Sequence, residues 1–286
     1  MPSQSPNEFV LTSSVRTDIV LRLFETTTPT ETLLSEIDAS DSGVYNALST
    51  LRNRGLVTER DAGWKLTAHG HLVAESVAAW QSSEDFLGQD PAFWKNHEID
   101  VIPAAFRGRL SEIGDYEIIR DTPQEPNRCM DVAISMLESA DSCDITTPYY
   151  SKPHQQAIPT DPETRLLVTP EVLDVSFQRY KDGHRENLNN LDPATLRLTD
   201  CQFASVVTDD KLKFELPTVN GTTKNQHGET EAPAPSEHGS VAGTTALFIS
   251  ETERAVQFGR DLFESLWAES DPIGPYVQDQ FPELVE

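Results

Sequence analysis

The chain has 286 residues, enough for one large or two ordinary domains, and 37% of them are hydrophobic. It carries 47 acidic against 22 basic residues, which gives a formal net charge of −25 at pH 7. No apolar run approaches the roughly 18 residues that a membrane-spanning helix needs, and the amino terminus lacks the basic and apolar regions of a signal peptide. The sequence therefore predicts a soluble, cytoplasmic protein without membrane contact.

The excess of carboxylates is typical of proteins from extreme halophiles, whose surfaces are acidic throughout. The alternative is an ordinary acidic protein with acidic or polyamine-like partners. Strong acidity also occurs in disordered chains, but the periodic apolar segments of this chain predict folded domains. Its cysteines, Cys129, Cys143 and Cys201, are far apart and form no CxxC pair, so neither a disulfide framework nor a metal site is predicted.

Periodic apolar residues predict three helices in the first 55 residues. Residues 12–26 place apolar side chains three and four positions apart, as an amphipathic helix does. We expect a second helix capped by Thr30, a short turn, and a third helix that begins after Ser40 or Asp41. Gly55 is expected to end that helix in the left-handed conformation.

A β-hairpin is predicted directly after the third helix, with strands at 56–60 and 64–67. Two basic residues, Arg60 and Lys65, stand on these strands. Helix, turn, helix and hairpin in this order are the layout of a winged DNA-binding domain. The fold class expected for residues 1–70 is therefore an α+β winged helix-turn-helix domain.

The third helix has the composition of a surface that faces duplex DNA. The window from Ser42 to Thr58 contains no Asp or Glu, although carboxylates are frequent elsewhere. A carboxylate near phosphate is repelled, so an acid-free helix suits DNA. The alternatives are a merely solvated polar face and, for its tyrosine, packing against the hairpin. The predicted contacts are Ser42, Tyr45, Asn46 and Ser49 to bases, and Arg52, Arg54, Arg60 and Lys65 to the DNA backbone.

These residues also carry a family resemblance. Residues 30–70 resemble the archaeal winged helix-turn-helix regulators of the ArsR and TrmB type, through Val44-Tyr45 in the third helix, the RGLV run at 54–57, and the WKLT run at 64–67 with Gly70. The resemblance implies a transcription regulator that binds double-stranded DNA, without naming an operator.

Residues 71–90 are predicted to form a linker helix. Val73, Val77 and Trp80 lie on one apolar stripe of that helix. The stripe can pack on its own domain or join two copies of the chain. We favour a homodimer, because one reader helix covers too few base pairs and two-fold symmetry doubles the site.

Residues 91–270 are predicted to form an α/β domain with a mixed sheet, because strand and helix patterns alternate beyond residue 127. Within it, residues 218–245 read as a long mobile loop, and residues 271–286 read as an acidic tail. The run around 143–169 is similar to degenerate phospholipase-D-like effector domains.

A second resemblance covers the start of this domain. Residues 93–126 resemble the FilR1-type domain of archaeal methanogenesis regulators, which implies a sensor role without naming the signal. The matching residues are Phe93, Trp94, His97, Ile102, Pro103, Arg109, Leu110, Gly114, Asp115 and Pro126.

No catalytic motif is present. A phospholipase-D-type site would need a His-x-Lys pair, and the sequence contains none. The P-loop, dinucleotide-binding, zinc-protease and nucleophile-elbow motifs are also missing. We expect a protein that is not an enzyme and needs no cofactor.

A ligand site is predicted where the strand near 143–147 ends in a loop, since clefts at the carboxyl ends of strands bind ligands in α/β sheets. Trp94, His97, Tyr149 and Arg165 would form its wall, which suits a small, polar or anionic metabolite. The alternative is that Trp94 lies in the core and His97 satisfies a buried carbonyl.

The sequence thus predicts a dimeric DNA-binding transcriptional regulator whose C-terminal domain senses a small ligand or partner. A DNA-organising or protein-interaction module, whose winged domain mainly contacts proteins, is the alternative. An unrecognised hydrolase is a third hypothesis.

Overall fold

The computed structural model describes residues 4–179, 195–219 and 246–282. The chain divides into two compact units, Met1–Asp85 and Phe86–Glu286. Most of the predicted loop lies outside the described residues. Within the described part, no helix is both long enough and apolar enough to cross a membrane.

The N-terminal unit has the predicted order of helices and hairpin. Its elements are α1 (Pro6–Leu11), α2 (Ser14–Glu25), α3 (Thr30–Glu36), α4 (Asp41–Asn53), β1 (Val57–Arg60) and β2 (Gly63–Leu66). The two strands pair antiparallel, and Thr28 forms a bridge to Trp64 beside them.

Side-chain caps set the helix starts, with one departure from expectation. Ser13 caps α2 and Ser40 caps α4, each through its hydroxyl oxygen. Thr30 was expected to cap α3, and this is wrong, because Pro29 occupies the cap position. The Thr30 hydroxyl instead accepts a hydrogen bond of 3.0 Å from the Trp64 indole, and so ties α3 to the hairpin.

Gly55 ends α4 as predicted, with φ at 70°. The Leu56 amide donates to the Leu51 carbonyl and the Gly55 amide to the Arg52 carbonyl, the two hydrogen bonds of a Schellman motif. Leu56 and Leu51 are both fully buried. The left-handed glycine therefore turns the chain from the end of α4 directly into the hairpin.

Helix α5 (Ala68–Gln89) begins in the first unit and ends in the second. Val73, Ala74 and Val77 are buried in the N-terminal core, so that unit continues past residue 70. Trp80, predicted on the same stripe as the two valines, is 49% exposed. The predicted stripe is therefore one face of the helix, which is buried at Val73 and Val77 and exposed at Trp80.

The C-terminal unit is built on a large mixed sheet. Its elements are α6 (Pro91–Asn96), α7 (Ala104–Arg107), a 3-10 turn (Leu110–Ile113), β3 (Glu117–Arg120), α8 (Arg128–Ser139), β4 (Asp144–Thr147), α9 (Lys152–Ala157), β5 (Arg165–Val168), α10 (Pro170–Arg179), β6 (Leu196–Leu198), β7 (Ala204–Val207), β8 (Leu212–Glu215), β9 (Ala246–Ser250), α11 (Glu253–Glu269), β10 (Asp271–Pro272) and α12 (Ile273–Gln280).

The strand order is β10-β6-β5-β4-β7-β8-β9-β3. Strands β4, β5 and β6 run parallel, and the remaining neighbours are antiparallel. The predicted mixed sheet is confirmed.

The acidic tail predicted at 271–286 is wrong. Asp271 and Pro272 pair with β6, and α12 buries Ile273 and Val277. These two apolar residues are four positions apart, which is the helical spacing that buries one face. The segment therefore adds a short edge strand to the sheet.

Strand register places one row of side chains across five strands. Lys213, Val206, Ile145, Leu166 and Leu196 are successive cross-strand partners, so they point to the same side of the sheet. Helix α11 packs on the other side. This row forms the floor of the cavity described below.

Candidate functional sites

Helix α4 presents a polar face to solvent. Val44, Leu48 and Leu51 are buried on its inner side. On the outer side Ser42 and Asn46 are exposed, Tyr45 is 53% exposed, and Ser49 is half-buried. Tyr45 therefore does not pack against the hairpin, and the side chains predicted to read bases share an accessible surface.

Three of the four predicted basic contacts are exposed at the end of α4 and on the hairpin, and the fourth contacts the amino-terminal segment. Arg60 and Lys65 are exposed on β1 and β2, and Arg52 is exposed at the end of α4 with its guanidinium 5.8 Å from the Trp64 ring. Arg54 instead lies 4.0 Å over the Phe9 ring and donates to the Gln4 carbonyl at 3.1 Å. Its guanidinium holds α1 against α4, which the sequence pattern did not reveal.

A cavity of about 690 Å³ lies within the C-terminal unit. Its floor is the side-chain row of the sheet, and its walls come from α9, α10 and the segment 158–164. A volume between about 300 and 1,000 Å³ is usual for small-molecule sites. Only two charged side chains lie among its described lining residues, Asp161 at the exposed rim and buried Lys213.

Lys213 is neutralised by a buried partner. Its ammonium group pairs with the Glu215 carboxylate, and both residues are buried on β8. The Tyr149 hydroxyl donates to the other oxygen of Glu215 at 2.8 Å. Burial and the nearby Glu215 charge raise the pKa of Tyr149 well above its usual value, so it stays protonated as the donor.

The side of the cavity formed by α9 and the segment 158–164 carries polar atoms without partners. Burial, and then the Lys213 charge, lower the pKa of His154 to about 4, so its imidazole is neutral at pH 7. Among the described residues, His154 Nε2, Ser151 Oγ and Thr164 Oγ1 are buried and make no hydrogen bond. Ser151 occupies the N-cap position of α9, yet its hydroxyl does not cap that helix. This side of the cavity can therefore form hydrogen bonds with a bound molecule.

The predicted ligand wall is wrong as one constellation, because only Tyr149 of its four members lines the cavity. The Trp94 indole donates to the Tyr116 hydroxyl at 2.7 Å and packs against Phe86 and Phe93. The His97 ring stacks on Phe93, and its Nδ1 lies 2.7 Å from the Phe93 carbonyl oxygen. Helix α6 ends at Asn96, so Trp94 and His97 do not share a helical face.

Arg165 lies on the side of the sheet away from the cavity. It precedes Leu166 on β5, and alternate residues of a strand face opposite sides. Its guanidinium pairs with Asp144 and Glu264 at 2.8 Å and lies 4.8 Å from the Phe263 ring. It is therefore not a cation for a bound metabolite.

The sequence analysis did not identify four residues that line the cavity, Ser151, His154, Thr164 and Lys213. The strand pattern around Lys213 could have identified that residue. Lys213 and Glu215 alternate with Leu212 and Phe214 in an otherwise apolar strand, so both charges must share a face. Ser151, His154 and Thr164 give no comparable signal, because loops and a short helix carry them. In residues 4–179, 195–219 and 246–282, no three His, Cys, Asp or Glu side chains meet as a metal site.

Comparison with known proteins matches both units. Residues 5–84 match the family described as the HVO_A0261 N-terminal domain. Over 264 residues, the chain is 23% identical to the methanogenesis regulatory protein FilR1 of Methanothrix harundinacea (strain 6Ac). That match covers 88% of this chain and 54% of the relative, so the chain spans about half the length of the curated protein.

Two solved structures were also compared. TrmBL2, described as an archaeal chromatin protein with a novel mode of DNA binding, shares 12% identity over 91% of this chain and 93% of its own, with a TM-score of 0.35. NucT from Helicobacter pylori shares 9% identity over 55% of this chain and 98% of its own, with a TM-score of 0.36. TM-scores this low do not establish a shared fold.

Proposed function

We propose that the chain is a transcriptional regulator of archaeal type, in which the N-terminal unit is a winged helix-turn-helix domain that binds duplex DNA. The observation that carries the proposal is the exposed polar face of α4, which has no acidic residue after Asp41, beside the exposed side chains of Arg60 and Lys65 on the hairpin. Similarity to a methanogenesis regulatory protein supports a regulatory role. No catalytic step is assigned to the cavity, because Lys213 is held by Glu215.

In this proposal α4 enters the major groove. Asn46 carries the donor and acceptor pair that recognises adenine, and Ser42, Tyr45 and Ser49 contact neighbouring base edges. Arg52, Arg60 and Lys65 neutralise phosphates, which positions the helix without specifying sequence. Arg54 supports the domain through α1.

The test compares base-reading with phosphate-binding variants of the full chain. Asn46→Ala and Ser49→Ala should weaken binding to a duplex selected from a random pool by about 10-fold, and binding to random duplex much less. Lys65→Ala and Arg60→Ala should weaken both by similar factors. Equal losses in all four variants, or no duplex binding by the wild-type chain, would contradict the proposal.

We also propose that the chain acts as a homodimer through α5. Leu72, Trp80 and Leu87 are 65%, 49% and 44% exposed and lie within about 80° of one another at 100° per residue. Ser76 and Ser83 complete that face with small side chains, which allow two helices to approach closely. A second copy of α5 would cover the apolar surface.

Sedimentation of two charge-matched variants tests the dimer. Trp80→Glu should shift the chain toward monomer, because it places a carboxylate at the centre of the apolar face. Gln81→Glu adds the same charge about 100° away on the same helix and should remain dimeric. A monomeric wild-type chain, or equal behaviour of both variants, would exclude this interface.

A further inference from the structure

We infer that the cavity binds an uncharged amphipathic molecule, with a hydrogen-bonding head at Ser151 and His154 and an apolar body that lies along the sheet toward Thr164. The inference rests on the proposed regulator function, together with the sensor role that the sequence predicts for the C-terminal domain. It replaces the anionic metabolite that Arg165 would have attracted.

The polar contacts of the cavity are defined by buried atoms that the fold leaves without partners. Ser151 and Thr164 are 8% and 4% exposed, and neither hydroxyl makes a hydrogen bond. A buried hydroxyl without a partner is costly, so native structures satisfy nearly all such groups. Serine at an N-cap ordinarily binds a backbone amide of its own helix, and Ser151 does not. These groups are therefore available to a bound molecule.

The charges around the cavity exclude a charged head. An anion would find no unpaired cation among the described lining residues, because Glu215 already neutralises Lys213. The imidazole of His154 is neutral at pH 7, and Asp161, the one carboxylate among those described lining residues, would repel an anion at the rim. A cation would find no unpaired carboxylate inside the described lining, because Lys213 occupies Glu215 and Asp161 lies at the exposed rim. Hydroxyl, amide or carbonyl groups satisfy both the imidazole and the hydroxyls.

The rest of the cavity suits an apolar body. Ile145, Leu166 and Val206 lie in one row of the floor, and Val172 and Leu173 of α10 face the cavity as well. Thr164 precedes Leu166 by two positions, so strand alternation places it at the edge of this floor. Because β4 and β5 are parallel, Thr164 lies at the edge opposite Ser151, and one molecule can bond to Ser151 and lie along the sheet toward Thr164.

Octanamide and octanoate form a matched probe pair, because they share chain length and differ in the charge of the head. Titration calorimetry on the full chain at pH 7.5 should show binding of octanamide, with octanoate at least 10-fold weaker. The thermal midpoint should rise with octanamide only. Equal or tighter binding of octanoate, or no binding of either probe, overturns the inference.

Two variants separate a ligand site from a structural one. Ser151→Ala should weaken octanamide binding about 10-fold, whereas Thr164→Val, at the other edge of the floor, should not. Neither should change the melting temperature of the empty protein, because these hydroxyls bond to nothing in it. The control Ser13→Ala removes a hydroxyl that does cap its helix. It should lower the melting temperature and keep octanamide binding.

Lower melting temperatures of both cavity variants with unchanged binding would mean that structural water satisfies the hydroxyls, which also overturns the inference. DNA binding of the wild-type chain without probe is measured in parallel. If the wild-type chain binds DNA but does not bind octanamide, the proposed ligand class alone is refuted. If the wild-type chain does not bind DNA, the proposed function as a transcriptional regulator is refuted.

Discussion

At the scale of single residues, the buried pair of Lys213 and Glu215 in the C-terminal unit has a large effect on stability. Two charges removed from water are costly, and their attraction offsets that cost only when the remaining hydrogen-bonding capacity is also satisfied. Tyr149 supplies one such bond to Glu215. The pair therefore acts as one neutral unit, in which neither partner can be lost alone.

Removing one partner should cost more than removing both. Lys213→Met leaves the Glu215 charge buried and should lower the free energy of unfolding by about 3 kcal/mol or more. The double variant with Lys213→Met and Glu215→Leu should recover much of that loss, because no uncompensated charge remains. Urea unfolding at pH 7 measures both values. A double variant that is less stable than the single variant would show that the pair itself stabilises the fold.

The pKa of His154 predicts a pH dependence of stability. Its folded-state pKa of about 4 lies below the ordinary histidine value of about 6.5, so the unfolded chain takes up the proton first. The stability that the neutral imidazole provides is present above pH 6.5 and is lost as the pH falls toward 4. The full loss is about 3 kcal/mol.

His154→Gln isolates this effect. The difference in the free energy of unfolding between wild type and His154→Gln should shrink as the pH falls from about 6.5 to about 4. Taking the difference removes the contribution of carboxylates that titrate in the same range. His69→Gln, at an exposed position, controls for the loss of one ionisable group. A constant difference for His154→Gln would mean that its imidazole is protonated as readily in the folded chain.

At the scale of elements, α5 illustrates how one helix meets very different constraints at its two ends. Gly70 lies in the first turn, where a methyl group would overlap the carbonyl oxygen of Leu56. Thr67 also donates to the Gly55 carbonyl at 2.6 Å, which holds the helix start against the end of α4. At the other end, the space around Gly88 is open to 4 Å.

Substituting these two glycines by alanine should change stability in opposite directions. Gly70→Ala should lower the free energy of unfolding by about 1–3 kcal/mol, because the Leu56 backbone must move. Gly88→Ala should raise it by about 0.5–1 kcal/mol, because alanine loses less backbone entropy in a helix. Denaturant unfolding of the two variants provides the comparison. Stabilisation by Gly70→Ala would show that the start of α5 is not packed against the hairpin.

At the scale of the whole molecule, the main feature is the negative net charge. The chain carries −25 at pH 7, and several arginines are already paired within the described residues, among them Arg22, Arg109 and Arg165. The carboxylates in excess repel one another across the surface. We propose that this surface is adapted to a cytoplasm of high salt.

Potassium chloride should therefore stabilise the fold. As its concentration rises from about 0.1 M to about 1 M, the Debye length shortens from about 10 Å to about 3 Å, which screens the repulsion. The melting temperature should rise over that range, and DNA binding should improve with it, against the usual salt dependence of DNA affinity. A chain that is folded at low salt and loses DNA affinity steadily with added salt would contradict this adaptation.

The sequence alone determined much of the local structure. Helices α2 and α4, the hairpin and most strands of the sheet were predictable, because the period of apolar side chains decides which face of an element is buried. The turn at Gly55 was predictable for a local reason as well, since glycine adopts a positive φ without steric cost. The exposed polar face of α4 followed from the same periodicity.

Only the tertiary structure decided which elements meet. Arg54 lies on Phe9 because α1 packs beside the end of α4, and no spacing within α4 encodes that contact. Tyr149 and Lys213 are 64 positions apart, and they converge on one cavity because β7 pairs with both β4 and β8. Strand pairing is non-local, so the polar side of the cavity, and the exclusion of Trp94, His97 and Arg165 from it, could not be read from the sequence.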